Sequence, residues 1–204
     1  MTPNPTVDPL EARLGLSWYL TDSPGCGGRL RTLPEDFVVE EVPLVLPRSP
    51  VGEGKYTVAR VRARNWETNR LMQELQRRLG LGRHDIFFAG TKDKRAVTTQ
   101  YVSLRAPEDA VRALAIRDVD ILDTFRTARA PKIGELAGNR FEIVVRDLAV
   151  PVEEATASAA AAVARLQDAG GFPDYFGLQR FGVVRPVTHV VGERILRGDL
   201  AAAV

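Results

Sequence analysis

Apolar positions along the chain change period several times, and each change marks an element. From Phe37 to Val42 they alternate with polar ones, the period of a half-buried strand, and Pro34 stands at the entry, where a proline removes no ladder bond. Lys55 to Ala63 alternates again, with Tyr56, Val58 and Val61 set between basic residues, and predicts a second strand. Leu71, Met72, Leu75 and Leu79 then recur at helical spacing; Asn65 or Thr68 suits the N-terminal cap and Gly80 or Gly82 the stop. Ile86 to Phe88 and Val97 to Leu104 read as two further strands joined through Gly90 and Thr91 to Arg95. Asp93 falls at the tip of that connection.

Beyond it, Pro107 opens a helix to about Ile116, with Glu108 and Asp109 in the first turn, where the helix dipole favours acids. Val119 to Phe125 predicts a strand, and a Gly-punctuated loop from Gly134 leads into another from Arg140 to Arg146. Pro151 starts an Ala-rich helix to about Ala169, stopped by Gly170-Gly171, and Thr188 to Arg197 reads as a last helix. Leu14 to Leu20 is a short apolar segment before a loop, and Pro47 to Gly54 a turn-rich connection. Helices and strands mix without the regular alternation of a doubly wound fold, so the pattern predicts α+β with a mainly antiparallel sheet.

Composition narrows the class. The 204 residues are 45% hydrophobic and 26% charged, with no apolar run near the ~20 residues needed to cross a bilayer, which predicts a soluble globular protein of one or two domains and no membrane partner. The proline-rich start lacks the apolar core of a signal peptide, and Cys26 is the single cysteine, so a cytoplasmic protein without disulfides is expected. One cysteine is too few for a thiolate zinc site, His84 and His189 match no metal-ligand spacing, and no Gly-rich loop fits a nucleotide; no cofactor is expected.

Charge adds more by its distribution than by its sum. Residues 55–105 hold 12 Lys or Arg against 4 acids, in a chain whose net charge is only +2. Such a segment either forms a solvated face with snorkelling arginines or attracts a phosphate backbone. Asp93 sits within it, flanked by Lys92, Lys94 and Arg95. An Asp at a tip commonly bonds its own backbone; one surrounded by cations also suits a nucleophile or base acting on a polyanion. Near the C-terminal end, Tyr175, Phe176, Arg180 and Phe181 crowd a Gly-flanked loop, placed either to stack on and clamp a splayed nucleotide or to pin the loop to the core.

Four strings together resemble the TruD family of tRNA pseudouridine synthases. Gly90, Lys92, Asp93, Lys94, Ala96, Thr98 and Gln100 are similar to its signature around the catalytic Asp. Pro34, Glu35, Asp36, Phe37, Val39, Glu40 and Glu41 match its opening motif, with Arg31 where the family has a lysine. Gly138-Asn139-x-Phe141 resembles its second site motif, and Gly171 to Gly182 its third, with Asp174 where an Asn is more usual; Asn65-Trp66-x-Thr68 is a weaker likeness. The resemblance covers about Leu14 to Gly198.

It implies a pseudouridine synthase catalytic fold with a mixed, mainly antiparallel sheet flanked by helices. It implies tRNA as partner and isomerisation, without cofactor, of a D-arm uridine (position thirteen in tRNA numbering). By the same resemblance Asp93 is the catalytic residue, Asn139 orients it, and Arg31 pairs with it or with a phosphate. Phe141 stacks on the uracil, and Lys92, Lys94, Arg95, Gln100, Tyr175, Phe176 and Arg180 contact substrate. Residues 1–186 would be the N-terminal part of the catalytic domain and 187–204 the start of the domain that the family carries inserted in it. The sheet would then be incomplete at the C-terminus, and the chain alone weakly active or inactive and prone to self-associate through an unpaired edge. Two other readings stand beside this one: an RNA-binding module of the same fold without activity, and a small hydrolase using Asp93 as base.

Overall fold

In a computed structural model of the protein, residues 4–6, 8–44, 46–50, 53–182 and 184–204 are described. The very start of the chain, residues 1–3, and part of the turn-rich connection, residues 51 and 52, lie outside them. The chain forms two compact units, Gly28–Asp147 and a second assembled from Met1–Gly27 and Leu148–Val204.

The second unit begins with β1 (Asn4–Pro5), α1 (Pro9–Arg13) and β2 (Trp18–Tyr19). β1 and β2 pair antiparallel, and the Asp8 carboxylate caps α1 by accepting the Leu10 N–H at 2.8 Å. The unit Gly28–Asp147 then runs through a one-turn helix (Pro34–Asp36), β3 (Phe37–Pro43), β4 (Tyr56–Arg64), α2 (Thr68–Leu79), β5 (Ile86–Phe88), β6 (Val97–Leu104), α3 (Glu108–Arg112), β7 (Val119–Thr127) and β8 (Leu136–Ile143). α4 (Val152–Asp168), α5 (Leu178–Phe181) and α6 (Thr188–Leu196) return to the other unit.

The sheet of Gly28–Asp147 has the order β7-β4-β6-β3-β8, with β5 also on β6. Every pairing is antiparallel except β3 with β6, so the sheet is mixed and mainly antiparallel, as the pattern predicts. β3 and β5 share one edge of β6 in succession: β3 pairs with residues 97–99 and β5 with 102–104. The connection from Phe88 to Val97 must therefore pass the gap between them, and it carries Asp93.

One face of the sheet is the core. Ala59, Val61 and Ala63 of β4 and Val102 and Leu104 of β6 pack with Leu71, Met72 and Leu75 of α2. Burying each large apolar side chain is worth about 1.5–3 kcal/mol, so packing more than propensity holds α2. The helix ends at Gly80, whose φ of 64° is the left-handed conformation that a glycine adopts without a Cβ clash. Its start departs from the sequence reading. Glu67 is the cap, accepting from the N–H groups of Asn69 and Arg70, because the Thr68 hydroxyl is engaged by the Asp93 loop.

Two further elements differ in extent. α3 stops at Arg112 rather than near Ile116, since Ile116 turns to bridge Val119 and start β7. β8 begins at Leu136 rather than Arg140: the edge of β3 offers unpaired backbone groups from Phe37 to Pro43, and pairing them outweighs the weak strand propensity of Gly138. A register shift at Val42/Pro43 accommodates the entry.

Candidate active site

The site is built where the opening segment, the Asp93 loop and β8 meet. Asp36 fixes the first of these. Its carboxylate accepts three hydrogen bonds from Arg146 at 2.7–2.9 Å and one from the Leu33 N–H at 2.9 Å, while its carbonyl accepts the Val144 N–H. Hydrogen bonding to Arg146 first, then to the Leu33 amide, holds the Asp36 carboxyl below its ordinary 3.8. The segment before β3 is thereby tied to the chain just beyond β8, and the residues preceding it are set at the sheet's edge.

Arg31 lies in that segment with φ at 55°, a left-handed conformation uncommon for a side chain with a Cβ. Its guanidinium donates to Asp93 Oδ1 at 2.9 Å and lies 3.8 Å from the centre of the Phe37 ring. Phe37 in turn meets Phe141 edge to face, ring centres 5.9 Å apart. Asp93, Arg31, Phe37 and Phe141 thus form one continuous chain of contacts. Phe37 is buried, Phe141 is 53% exposed, and the Asp93 carboxylate is about two-fifths exposed. The arrangement links an accessible carboxylate to a half-exposed aromatic ring through the Arg31 cation and the buried Phe37.

The Asp93 loop is anchored from below. The Lys92 N–H donates to Thr68 Oγ1 at 2.8 Å, and the Thr68 hydroxyl donates back to the Lys92 carbonyl at 3.4 Å. Lys92 Nζ sits 2.7 Å from Glu41 Oε2, an ion pair without the alignment of a hydrogen bond, with both side chains at least 96% buried. Glu41 also accepts the Tyr101 N–H at 3.4 Å, on the stretch of β6 edge between its β3 and β5 partners. Drawing Lys92 inward sends the next side chain, Asp93, outward. Arg95 adds a staple from above, donating to the Thr32 carbonyl at 2.8 Å.

The expected site residues are placed unequally. The Lys92 ammonium is buried on Glu41, and Gln100 is 2% exposed in the middle of β6, so neither presents a free polar group at the surface. Arg31, not Asn139, is the group bonded to Asp93: Asn139 pairs opposite Glu41 on β8 but is exposed and makes no hydrogen bond to Asp93 among the described residues. Lys94 and Arg95 are exposed beside the carboxylate. Tyr175, Phe176 and Arg180 belong to the other compact unit, where Tyr175 and Phe176 are 77% and 65% exposed and Arg180 lies 4.9 Å over the Phe176 ring. These aromatics are not pinned in a core. Phe181, in contrast, packs edge to face on His189 at 5.3 Å.

Glu41 and Phe37 are the site residues that sequence reasoning left without a role. A signal for Glu41 was present: it falls in phase with Phe37 and Val39 on the buried face of β3, where an unpaired carboxylate is not tolerated. Among the described residues no group of three or more His, Cys, Asp and Glu is placed to hold a metal, and no helix is long and apolar enough to cross a membrane.

The profile of the family described as tRNA pseudouridine synthase D (TruD) matches residues 13–204. A probable tRNA pseudouridine synthase D of Methanococcoides burtonii is 40% identical over 198 residues, covering 97% of this chain and 44% of that protein. One of Thermococcus onnurineus is 44% identical over 186 residues, covering 91% and 43%. Among solved structures, a putative tRNA pseudouridine synthase D from Methanosarcina mazei superposes with a TM-score of 0.84 at 37% identity, over 97% of this chain and 45% of that one. The chain spans less than half the length of the relatives it matches.

Proposed function

The chain belongs to the tRNA pseudouridine synthase D (TruD) family, and on that premise we propose that it converts a uridine in the D-arm of tRNA, position thirteen, to pseudouridine. The observation that carries the reading is the accessible Asp93 carboxylate held by Arg31, which connects through Phe37 to the half-exposed Phe141 ring. The reaction extracts the uridine from its stack, breaks the bond between the base nitrogen and the ribose, turns the base and rejoins it through carbon. Unstacking costs a few kcal/mol, which stacking on an aromatic side chain offsets. In this reading Phe141 receives the uracil and Asp93 acts as nucleophile or base on the nucleoside. Arg31 fixes the carboxylate's direction, Lys94 and Arg95 meet phosphate, and Tyr175, Phe176 and Arg180 contact the RNA.

The same reading takes residues 1–186 as part of the family's catalytic domain and 187–204 as the start of its inserted domain, in a cytoplasmic protein that acts without a cofactor. It includes a tendency to self-associate, for which the partly exposed Phe141, Ile143, Val144 and Val145 at and just beyond β8 give a surface. The test is incubation with unmodified tRNA followed by mapping of pseudouridine, with the chain alone and with the remaining length of a relative supplied in trans. Pseudouridine at the proposed position in either supports the reading, and none in either removes it. RNA binding without turnover in both would favour the second reading, an RNA-binding module of the same fold.

A further inference from the structure

Beside the Asp93 loop lies a concave site of about 280 Å³ lined by Arg64, Asn65, Trp66, Glu67, Arg70, Lys94, Arg117 and Asp118. Three separate segments make its floor, and backbone bonds lock them together. The Arg64 N–H donates to the Asp118 carbonyl and the Asn65 N–H to the Ala96 carbonyl, both at 2.9 Å, and the Trp66 indole N–H donates to the Arg117 carbonyl at 3.2 Å. Asn65 and Asp118 both take left-handed backbone conformations, with φ at 58° and 60°, that bend the chain around the hollow. The hollow is therefore preformed rather than assembled by a ligand.

Its charges divide into those already neutralised and those left over. Glu67 uses its carboxylate oxygens on the Asn69 and Arg70 amides at the start of α2, so the helix terminus itself is occupied. Asp118 pairs with Arg117 at 3.4 Å, and Glu35 binds Arg64 from the rim. Arg70 and Lys94 remain: both are exposed and neither forms an ion pair among the described residues, although the Glu67 carboxyl, whose pKa the Asn69 and Arg70 amides lower most, is near enough to the Arg70 charge to be lowered further by it. Trp66 is partly buried against the core and uses its only donor on Arg117, so it forms a wall of the hollow. A hollow with two exposed cations outside any ion pair, and with its carboxylates already engaged by backbone amides or by arginine, fits a phosphodiester.

Lys94 directly follows Asp93, about 3.8 Å along the backbone. We infer that this hollow holds an RNA backbone phosphate flanking the nucleotide presented to Asp93, with Arg70 and Lys94 as its ligands. The inference rests on the reading that the Asp93 loop acts on RNA, and it adds a second, sequence-independent anchor that sets which nucleotide reaches the carboxylate. Phosphate contacts of this kind fix register and carry no base information.

The test measures binding of an unmodified tRNA transcript by the full 204-residue chain across a salt series, for the wild type, Arg70→Ala, Lys94→Ala and the double variant. Arg78→Ala serves as control, since Arg78 lies on the same helix but is already paired with Glu74 at 2.9 Å. The double variant is expected to weaken binding roughly tenfold near physiological salt and to reduce the slope of log K against log salt by about 1.4–1.8, the release of two phosphate contacts. The single variants should each give about half of that slope change, with melting temperature unchanged because both side chains are exposed. Unchanged affinity and slope in the double variant, an equal loss in Arg78→Ala, or no tRNA binding by the wild type would each overturn the site. Absence of pseudouridine would overturn the proposed function alone, because the binding measurement does not depend on turnover.

Discussion

Arg31 is bonded to Asp93 at one end and stacked on Phe37 at the other: its guanidinium donates to the carboxylate at 2.9 Å and lies 3.8 Å from the ring centre. A planar cation does both at once, whereas a lysine ammonium is a point charge with no face to stack. The residue at this position thus couples the carboxylate to the aromatic wall that ends at Phe141.

Arg31→Lys keeps the charge and removes the planar guanidinium. It loses the stack on Phe37, and since Arg31 is more than a third exposed the loss is about 1 kcal/mol, roughly fivefold in kcat with little change in tRNA affinity. Rates within error of wild type would show that the stack does not orient Asp93.

Asp93→Asn is nearly isosteric and removes the charge. Turnover should fall by roughly 10²–10⁴-fold while tRNA binding and the melting temperature persist, because the carboxylate is partly exposed and supports no core contact. Pseudouridine mapping beside a binding isotherm separates the two; retained turnover would remove Asp93 from the chemistry.

Phe141→Leu keeps an apolar side chain at an exposed strand position but loses the flat surface. A base stacked on an aromatic ring is worth about 1–3 kcal/mol, so activity should drop between about 5- and 150-fold, with a change in melting temperature of a few degrees at most. A large stability loss with intact kinetics would make Phe141 part of the core through its contact with Phe37.

Most of the fold is legible because its signals are local. β5 and β6 begin and end where the apolar runs do, and α2 stops at Gly80, where the chain needs a left-handed residue. What escapes depends on partners distant in sequence. Nothing near Leu136 announces a strand, because β8 forms on the edge that β3 leaves open. The candidate site divides the same way. Asp93, Arg31 and Phe141 are visible as motif positions, but a lysine in a basic run looks solvent-facing until Glu41, 51 positions earlier, is seen beneath it. Gln100 likewise reads as a polar site residue in the motif, while the pleat of β6 turns it inward.

The Asp36–Arg146 pair makes a pH-dependent contribution whose sign is fixed. Asp36 is held below its ordinary 3.8 in the folded chain, chiefly by Arg146, so the unfolded chain binds the proton more tightly. The stabilisation is present above about pH 4 and disappears as pH falls through the lowered folded value. Asp36→Asn should lower the melting temperature at neutral pH and reduce its fall between pH 5 and pH 3 relative to wild type. A variant whose melting temperature falls in parallel with the wild type over that window would show that other carboxylates govern acid unfolding.

Lys92 and Glu41 make the sharpest stability prediction, because both charges are buried and each is the other's ionic partner. Lys92→Met fills the same space and leaves the Glu41 carboxylate buried without a cation, which costs about 3–5 kcal/mol. Replacing both, Lys92→Met with Glu41→Leu, removes the desolvated charges together and should recover stability to within about 1 kcal/mol of wild type, since buried pairs are often matched by apolar groups of similar volume. The recovery should stop at stability. Glu41 also holds the Tyr101 amide in the gap between β3 and β5, and the pair is what draws residue 92 inward so that Asp93 faces out. In the double variant, urea unfolding should therefore look close to wild type while kcat stays depressed roughly tenfold or more and tRNA affinity is unchanged. If kcat returned with stability, the pair would be a core filler with no part in aiming the carboxylate; if the double variant were as unstable as the single, Lys92 and Glu41 would not be coupled as their 2.7 Å separation implies.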